Sequence, residues 1–379
     1  MAPAFALDPR QRRWTRELRQ LAVERLRPLT GSAPPGRVNR PLVGALGELG
    51  LLARVFPAGG RAAAMDLCLL RESLAQECTE AETALALQGL GAHPLVLAGT
   101  PAQRAHWLAR VTEGRAVIAF ALSEAGAGSD AAALALRAEP AGEGWVLRGG
   151  KTWISNAPDA DVYTVFARTG PAAGARGITA FLVPADRPGL SGRPLAMLAP
   201  HPIGALSFDG VPVGPEDVIG EVGGGFALAM RTLELFRPSV GAFAVGMARA
   251  ALRAAVAHAG QRRAFGGTLA DLQAVSHQLA EMATRTEAAA LLVYAAAEAY
   301  DAGERGGAGS PAGARSAMAK LFATETAQFV VDAAVQIHGA CALERGHPLE
   351  HLYREVRATR IYEGATEVQR TVIARELYR

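Results

Sequence analysis

The residues best suited to chemistry lie near the end of the chain, in Ile361-Tyr362-Glu363-Gly364-Ala365-Thr366-Glu367-Val368-Gln369-Arg370. One carboxylate, Glu363, stands on a glycine-broken turn between two helical patterns, with an aromatic before it and Gly364-Ala365 after it. Structural carboxylates usually sit on wet helix faces, where water solvates them. One set between an aromatic ring and small residues is placed for a dry pocket. Loss of water there raises its pKa toward the working pH and strengthens it as a base.

Three other stretches carry weaker signals. Residues 121–130 (ALSEAGAGSD) combine glycines, which let a ligand approach the backbone, with hydroxyls that donate hydrogen bonds. Alone, they describe a surface turn. In residues 149–156 (GGKTWISN), Trp153 is either β-domain core or the wall of a planar heterocycle whose edge Ser155 bonds. In residues 261–266 (QRRAFG), followed by Leu272-Gln273, Arg262 is either a solvated helix end or a phosphate ligand, since a guanidinium matches phosphate geometry. His93 and His338 are read as a structural histidine and a packing or helix-end residue, because no partner ligands are spaced for a metal.

The elements that must position these residues fall into three segments. Residues 1–115 are predicted helical, with a Leu42, Leu46, Leu49 and Leu52 stripe, a long Ala/Leu pattern over 65–87, and a capped start at Thr100-Pro101 from which Trp107, Leu108 and Val111 face inward. Residues 116–222 carry short apolar runs at 116–120, 145–147, 162–166, 178–183 and 206–208, separated by Gly and Pro turns: a small antiparallel β-domain. Residues 223–379 return to helix, over 226–258, 269–300 (ended by Gly303), 316–337, 349–361 and 366–377, with a Gly/Ala/Ser/Pro linker at 306–313. The order α, β, α without βα alternation disfavours a Rossmann fold.

Composition narrows the classes further. The chain has 379 residues, half of them hydrophobic, and a net charge of +3, too small for a nucleic-acid reading without a local basic stripe. Arg10, Arg12, Arg13, Arg16 and Arg19 cluster, but Asp8, Glu17 and Glu24 interrupt them. Trp14, Leu18, Leu21 and Leu26 recur near helical spacing, which predicts a first helix rather than a transit peptide. Only Lys151 and Lys320 are lysines, an Arg bias read as base composition. Cys68, Cys78 and Cys341 lack metal or disulfide spacing and fit a reducing, cytoplasmic compartment. No apolar run is expected to approach the roughly 20 residues that span a bilayer.

Taken together, the strings ALSEAGAGSD, GGKTWISNA, ITAFLVPADRPGL, FDGVPVGPEDVIGEVGGGF, QRRAFG, LADLQAVSHQLAEMA, AVQIHGA and IYEGATEVQR resemble the acyl-CoA dehydrogenases over roughly residues 35–378. The resemblance implies a mostly α fold: an N-terminal helical domain, a middle β-domain and a C-terminal four-helix bundle, with FAD between the last two. It implies a homotetramer built as a dimer of dimers, and electron-transfer flavoprotein as acceptor. By that likeness Leu122, Ser123, Trp153 and Ser155 hold the isoalloxazine. Arg262, Phe265 and Gln273 reach the pyrophosphate and adenosine of a neighbouring subunit's FAD. Gln336 and Gly339 contact the adenosine side, and Thr366 and Glu367 lie near the dinucleotide. Ser129 meets the pantetheine, and Arg237, Tyr362 and Gly364 lie at the substrate.

The same likeness makes Glu363 the base for the α-proton of an acyl-CoA thioester, with its backbone N–H and a ribityl hydroxyl on the thioester carbonyl. The β-hydride passes to flavin N5 and trans-2-enoyl-CoA results. Relatives with the base on the long helix carry it where Phe236 stands here; Glu234, two residues earlier, faces another side. The chain departs from the family pattern at Gly339-Ala340-Cys341-Ala342, at Ala365, at Ala125 and over residues 56–60, which leaves adenosine contacts and substrate open. Acyl-carrier-protein-linked or oxygen-using oxidation on the same scaffold is the alternative within enzymes; a catalytically idle nucleic-acid-associated member is the alternative outside them.

Overall fold

The computed structural model describes residues 7–57, 62–170, 174–303 and 311–378. Helices α1 Pro9–Leu21, α2 Arg40–Glu48, α3 Leu51–Val55, α4 Ala64–Ala75, α5 Thr79–Ala98, α6 Pro101–Gln103 and α7 Ala109–Thr112 come first. Strands β1 Ile118–Ala121, β2 Arg137–Ala141, β3 Gly144–Ser155, β4 Val162–Arg168, β5 Ile178–Pro184, β6 Leu190–Pro194, β7 Ile203–Val213 and β8 Val218–Ile219 follow. Then come α8 Gly225–Gln261, the small β9 Arg263–Ala264 and β10 Gly267–Thr268, α9 Gln273–Asp301, α10 Pro311–His338, α11 Pro348–Thr359 and α12 Thr366–Leu377.

Local sequence sets several of these starts. Asp8 accepts the Gln11 N–H at 2.7 Å and Asn39 accepts the Leu42 N–H at 3.1 Å, so α1 and α2 open on capped ends. Thr100 and Gln103 form a reciprocal capping box at 3.2 and 3.0 Å. Of the three residues expected to face inward beyond it, Val111 is buried. Trp107 and Leu108 are half-buried, and Arg110 lies over the Trp107 ring. The leucine stripe over 42–52 is two helices, not one, because Gly50 takes a left-handed φ of 71° between them. The 65–87 run also breaks: Cys78 N–H turns back to the Leu74 carbonyl at 2.7 Å, and Thr79 starts a new helix with Glu80 and Glu82 in its first turn. Of the expected linker at 306–313, residues 306–310 lie outside the described residues. Helix α10 begins at Pro311, before the expected Ser316.

The chain forms two compact units. One gathers residues 25–62 and 83–233 around an eight-stranded sheet of order β6-β7-β3-β2-β4-β5-β8. Its pairings are antiparallel except that β1, off this path, runs parallel to β4 and that Arg137 of β2 pairs in parallel with Arg168. A parallel pair needs a long crossover, and the β2–β3 hairpin supplies it. Strands β4 and β5 are buried on both faces almost throughout, which is why both read as unbroken apolar runs.

The other unit gathers residues 1–24, 63–82 and 234–379, almost all helix. Its Ala and Gly content follows from close packing. A Cβ on Gly241 would lie 2.7 Å from Val293 Cγ2, and one on Gly246 would lie 2.5 Å from the Glu72 carbonyl oxygen. Helix α8 corrects one expectation. Its 37 residues include an 18-residue window of mean hydropathy 1.4, long and apolar enough to cross a membrane by length and composition. However, 61% of that window is buried inside the protein. Ala, Val and Gly packed against neighbouring helices produce the same hydropathy as a span.

Candidate active site

The turn between α11 and α12 is a strained piece of backbone held from three sides. Glu363 has φ 49° and Gly364 φ 93°, two successive left-handed residues, the first of a type that avoids that region. Lys320 Nζ of α10 donates to the Gly364 carbonyl at 2.8 Å, and buried Gln369 Nε2 donates to the same oxygen at 2.9 Å. Glu325 Oε1, also on α10, accepts from Arg360 Nε at 2.9 Å and Thr366 Oγ1 at 3.0 Å. The Thr366 N–H closes the turn on the Arg360 carbonyl at 3.0 Å. Glycine suits 364, because its φ of 93° strains any residue with a Cβ, which would also displace the Gln369 amide from the Gly364 carbonyl.

This turn presents Glu363 to a cluster of buried charge. The residue is half-buried as a whole, but Oε2 is shut off from solvent and has no hydrogen-bond partner among the described residues. Burial lifts its carboxyl above the ordinary carboxylate range, and the fields of Arg71, Lys320 and Arg237 offset only part of that rise. Burial pushes Lys320 down to about 8. It also lowers Arg237, against the pull of Glu234 and Glu363, and Arg237 Nε is buried without a partner among the described residues. Arg71 is opposed by burial, but Glu82, Glu363 and Tyr362 hold it charged. It is ion-paired with Glu82 and donates from Nη1 to Ser239 Oγ at 2.7 Å; Ser239 in turn donates to the Phe236 carbonyl at 2.6 Å. Phe236 is itself fully buried.

Sequence reasoning missed Arg71, Glu82, Ser239, Lys320, Glu325 and Gln369. Two signals were present. Arg71 and Glu72 interrupt an otherwise apolar helix, and Lys320 is one of two lysines in an arginine-rich chain.

In the sheet unit, residues 121–130 and 149–156 come together. Thr152 N–H donates to the Ser123 carbonyl at 3.0 Å, and the fully buried Lys151 reaches the Leu122 carbonyl at 2.9 Å and Glu124 Oε1 at 2.8 Å. Glu124 also accepts the N–H groups of Ala135 at 2.6 Å and Leu136 at 2.9 Å. Burial lowers Lys151 to about 8, with Glu124 opposing. Above this footing the β3–β7 register slips between Lys151 and Ile154, and Trp153 takes φ 57°. Its indole is therefore turned outward, 50% exposed, instead of joining the core. Ser123 and Ser155 are half-buried, Leu122 is buried and Ser129 is exposed.

The remaining candidates lie mostly on surfaces. Arg262, Gln273, Gln336, Gly339 and Glu367 are exposed. Phe265, at φ 52° on the turn between β9 and β10, is 91% exposed. Thr366 is buried and its hydroxyl is engaged by Glu325. His338 Nδ1 contacts the Ala334 carbonyl at 2.8 Å and its ring stacks on His258 with centroids 4.1 Å apart. No group of three His, Cys, Asp or Glu among the described residues is placed to hold a metal. His93 is buried, and burial lowers it to about 4.

Comparison with known proteins fits this geometry. Residues 8–115, 119–211 and 223–378 match the models of the N-terminal, middle and C-terminal domains of acyl-CoA dehydrogenase. The chain is 42% identical over 288 residues to the 3-(aryl)acrylate reductase of Clostridium sporogenes, covering 75% of this chain and 74% of that protein. It is 34% identical over 371 residues to cyclohexane-1-carbonyl-CoA dehydrogenase of Geobacter metallireducens, covering 96% of each. The butyryl-CoA dehydrogenase structure from Megasphaera elsdenii superposes with a TM-score of 0.91 at 33% identity, covering 100% of both chains. The chain belongs to the acyl-CoA dehydrogenase family, FAD-dependent flavoprotein oxidoreductases.

Proposed function

We propose that this chain catalyses α,β-dehydrogenation of an acyl-CoA thioester to the trans-2-enoyl-CoA, with Glu363 as the base that takes the α-proton. The observation that carries this reading is the Glu363 carboxylate itself. Its Oε2 is shut off from solvent and lacks a partner among the described residues, and a strained turn holds it among Arg71, Lys320 and Arg237. Nothing in a structural role requires such an arrangement, whereas a base needs it to be both strong and fixed. The Glu363 backbone N–H polarises the thioester carbonyl, which stabilises the enolate charge. Arg237, Tyr362 and Gly364 adjoin the acyl group and Ser129 the pantetheine.

The residues of the sheet unit fit the cofactor. A half-exposed indole on a left-handed backbone, with Ser155 on the same strand and Ser123 on the segment after β1 that Thr152 bonds, makes a flat wall with hydroxyl donors. There Leu122, Ser123, Trp153 and Ser155 hold the isoalloxazine. When bound, FAD supplies the acceptor for the β-hydride. Exposed Arg262, Phe265 and Gln273 serve the dinucleotide of a second copy, which suits a tetramer and the otherwise uncovered Phe265 ring. Gln336 and Gly339 contact the adenosine side, and Thr366 and Glu367 lie near the dinucleotide, Thr366 on the turn that Glu325 fixes. Electrons leave to an electron-transfer flavoprotein.

The likeness to a 3-(aryl)acrylate reductase favours a second reading, the reverse direction. Glu363 then returns a proton to the carbon next to the carbonyl, a role that a raised carboxyl pKa equally serves. The test is anaerobic mixing of the yellow protein with straight, branched, cyclic and aryl acyl-CoAs, following the flavin band. Bleaching by one class, abolished in Glu363→Gln with FAD retained, is the expected result. Re-oxidation of the reduced protein by arylacrylates, without bleaching by any acyl-CoA, selects the reductase reading. Near-normal bleaching by Glu363→Gln overturns the base assignment.

A further inference from the structure

Lys320 is the buried ionisable group that the reaction above leaves without a task. It is 0% exposed and donates at 2.8 Å to the carbonyl of Gly364, the residue that follows Glu363. Among the described residues no carboxylate lies within ion-pairing distance of it. Arg71, a second buried cation beside Glu363, differs: it has Glu82 as an ion-pair partner and Ser239 as a hydrogen-bond partner. A buried ammonium without a close counter-ion is costly, and of the carboxylates whose charge reaches it, Glu363, Glu325 and Glu367, Glu363 acts most strongly.

We propose that Lys320 is the positioning residue of the Glu363 turn. It holds the left-handed backbone of 363–364 through the Gly364 carbonyl and supplies the positive charge that keeps Glu363 ionised and ready to receive a proton. This rests on Glu363 being the base. The geometry divides the work on α10. Glu325 fixes the two ends of the turn, at Arg360 and Thr366, and Lys320 fixes its strained middle. The charged groups that act on Glu363 are Arg71 from α4, Arg237 from α8 and Lys320 from α10. Behind them, Glu82 bears on Arg71, Glu234 on Arg237, and Glu325 and Glu367 on Lys320; Tyr362 is the neighbouring phenol. When Glu363 takes the proton, the Lys320 charge loses its balance. The same charge therefore favours release of that proton and resets the base.

The test compares Lys320→Met, Lys320→Gln and Lys320→Arg in the FAD-loaded protein. Two readouts are used: the pH dependence of kcat/KM, and the pH at which the protonated Glu363 carboxyl stretch disappears from the infrared spectrum. That stretch is assigned by its absence in Glu363→Gln. A charge-assisted hydrogen bond is worth a roughly 10- to 100-fold change in an equilibrium, so Lys320→Met and Lys320→Gln should raise the acid limb and the infrared midpoint together by about one to two pH units. In both, kcat should fall about tenfold or more with KM little changed. Lys320→Arg, which keeps the charge, should leave the midpoint near its original value. A folded Lys320→Met or Lys320→Gln with an unmoved midpoint overturns the proposal. Should Lys320→Met fail to fold, identical midpoints in Lys320→Arg and Lys320→Gln overturn it. Loss of activity in Glu363→Gln with unmoved Lys320 variants removes only this inference; near-normal activity in Glu363→Gln removes the base assignment as well.

Discussion

The only two lysines of the chain stand at its two candidate binding regions, and they are built differently. Both are buried, both are pushed down to about 8 by burial, and both donate to a backbone carbonyl next to a residue of interest. Lys151 also has Glu124 at 2.8 Å, and that carboxylate in turn accepts two backbone N–H groups. It forms a closed, self-satisfied knot beneath the outward-turned Trp153. Lys320 has no such carboxylate among the described residues, so its charge is directed at Glu363. A buried ammonium with a local counter-ion builds a rigid platform; one without a counter-ion lends its charge to the chemistry.

The comparison can be broken most sharply at the carboxylate. Glu363→Gln should lower the flavin-bleaching rate on the order of 10²- to 10⁴-fold with FAD content unchanged, measured by stopped-flow absorbance. Next in size, Lys151→Met leaves Glu124 buried without its cation and should cost ~3–5 kcal/mol of stability, read by denaturant titration, with loss of bound FAD. Adding Glu124→Gln should recover part of that loss. No such rescue would mean that the knot is not the closed unit described above. Gly364→Ala, at φ 93° and against the Gln369 amide, should cost ~1–3 kcal/mol and lower kcat more than KM, because it displaces the base but not the sheet unit.

The pH dependence sharpens the same contrast. The active form of Glu363 is the ionised one and its carboxyl is raised, so kcat/KM should fall as pH drops through a value above the ordinary carboxylate range. The sign for stability is opposite. Between the unfolded and the raised folded pKa the folded chain holds the extra proton, so this group's contribution declines as pH rises through that window. Smallest of all, Trp153→Phe keeps an aromatic face and should weaken FAD binding by only ~0.5–1.5 kcal/mol, measured by fluorescence titration.

Much of this was legible in the sequence because the signals are local. The capped start at Thr100-Pro101, the turn at Gly364 and the unbroken apolar runs of β4 and β5 depend on neighbours along the chain, and the pattern displays them. The break at Gly50 was not distinguished from an ordinary helical position, and β1 gave no sign of running parallel to β4, since pairing partners are distant in sequence. The charge cluster was hidden for a similar reason. Arg71, Ser239 and Lys320 come from α4, α8 and α10, and only the packing of those helices brings them to Glu363. Glu363 itself was found because glycine and an aromatic mark its turn locally.

Burial of both lysines has one more consequence. Thioesters acylate neutral amines that they meet in solution, whereas a guanidinium, always protonated, is a poor nucleophile. Lys151 and Lys320 are 1% and 0% exposed, and every other basic side chain apart from the histidines is arginine. The folded protein therefore shows no lysine amine to an activated acyl group. Opening of the fold exposes both amines, so acylation of lysine by thioester free in solution should rise with loss of structure.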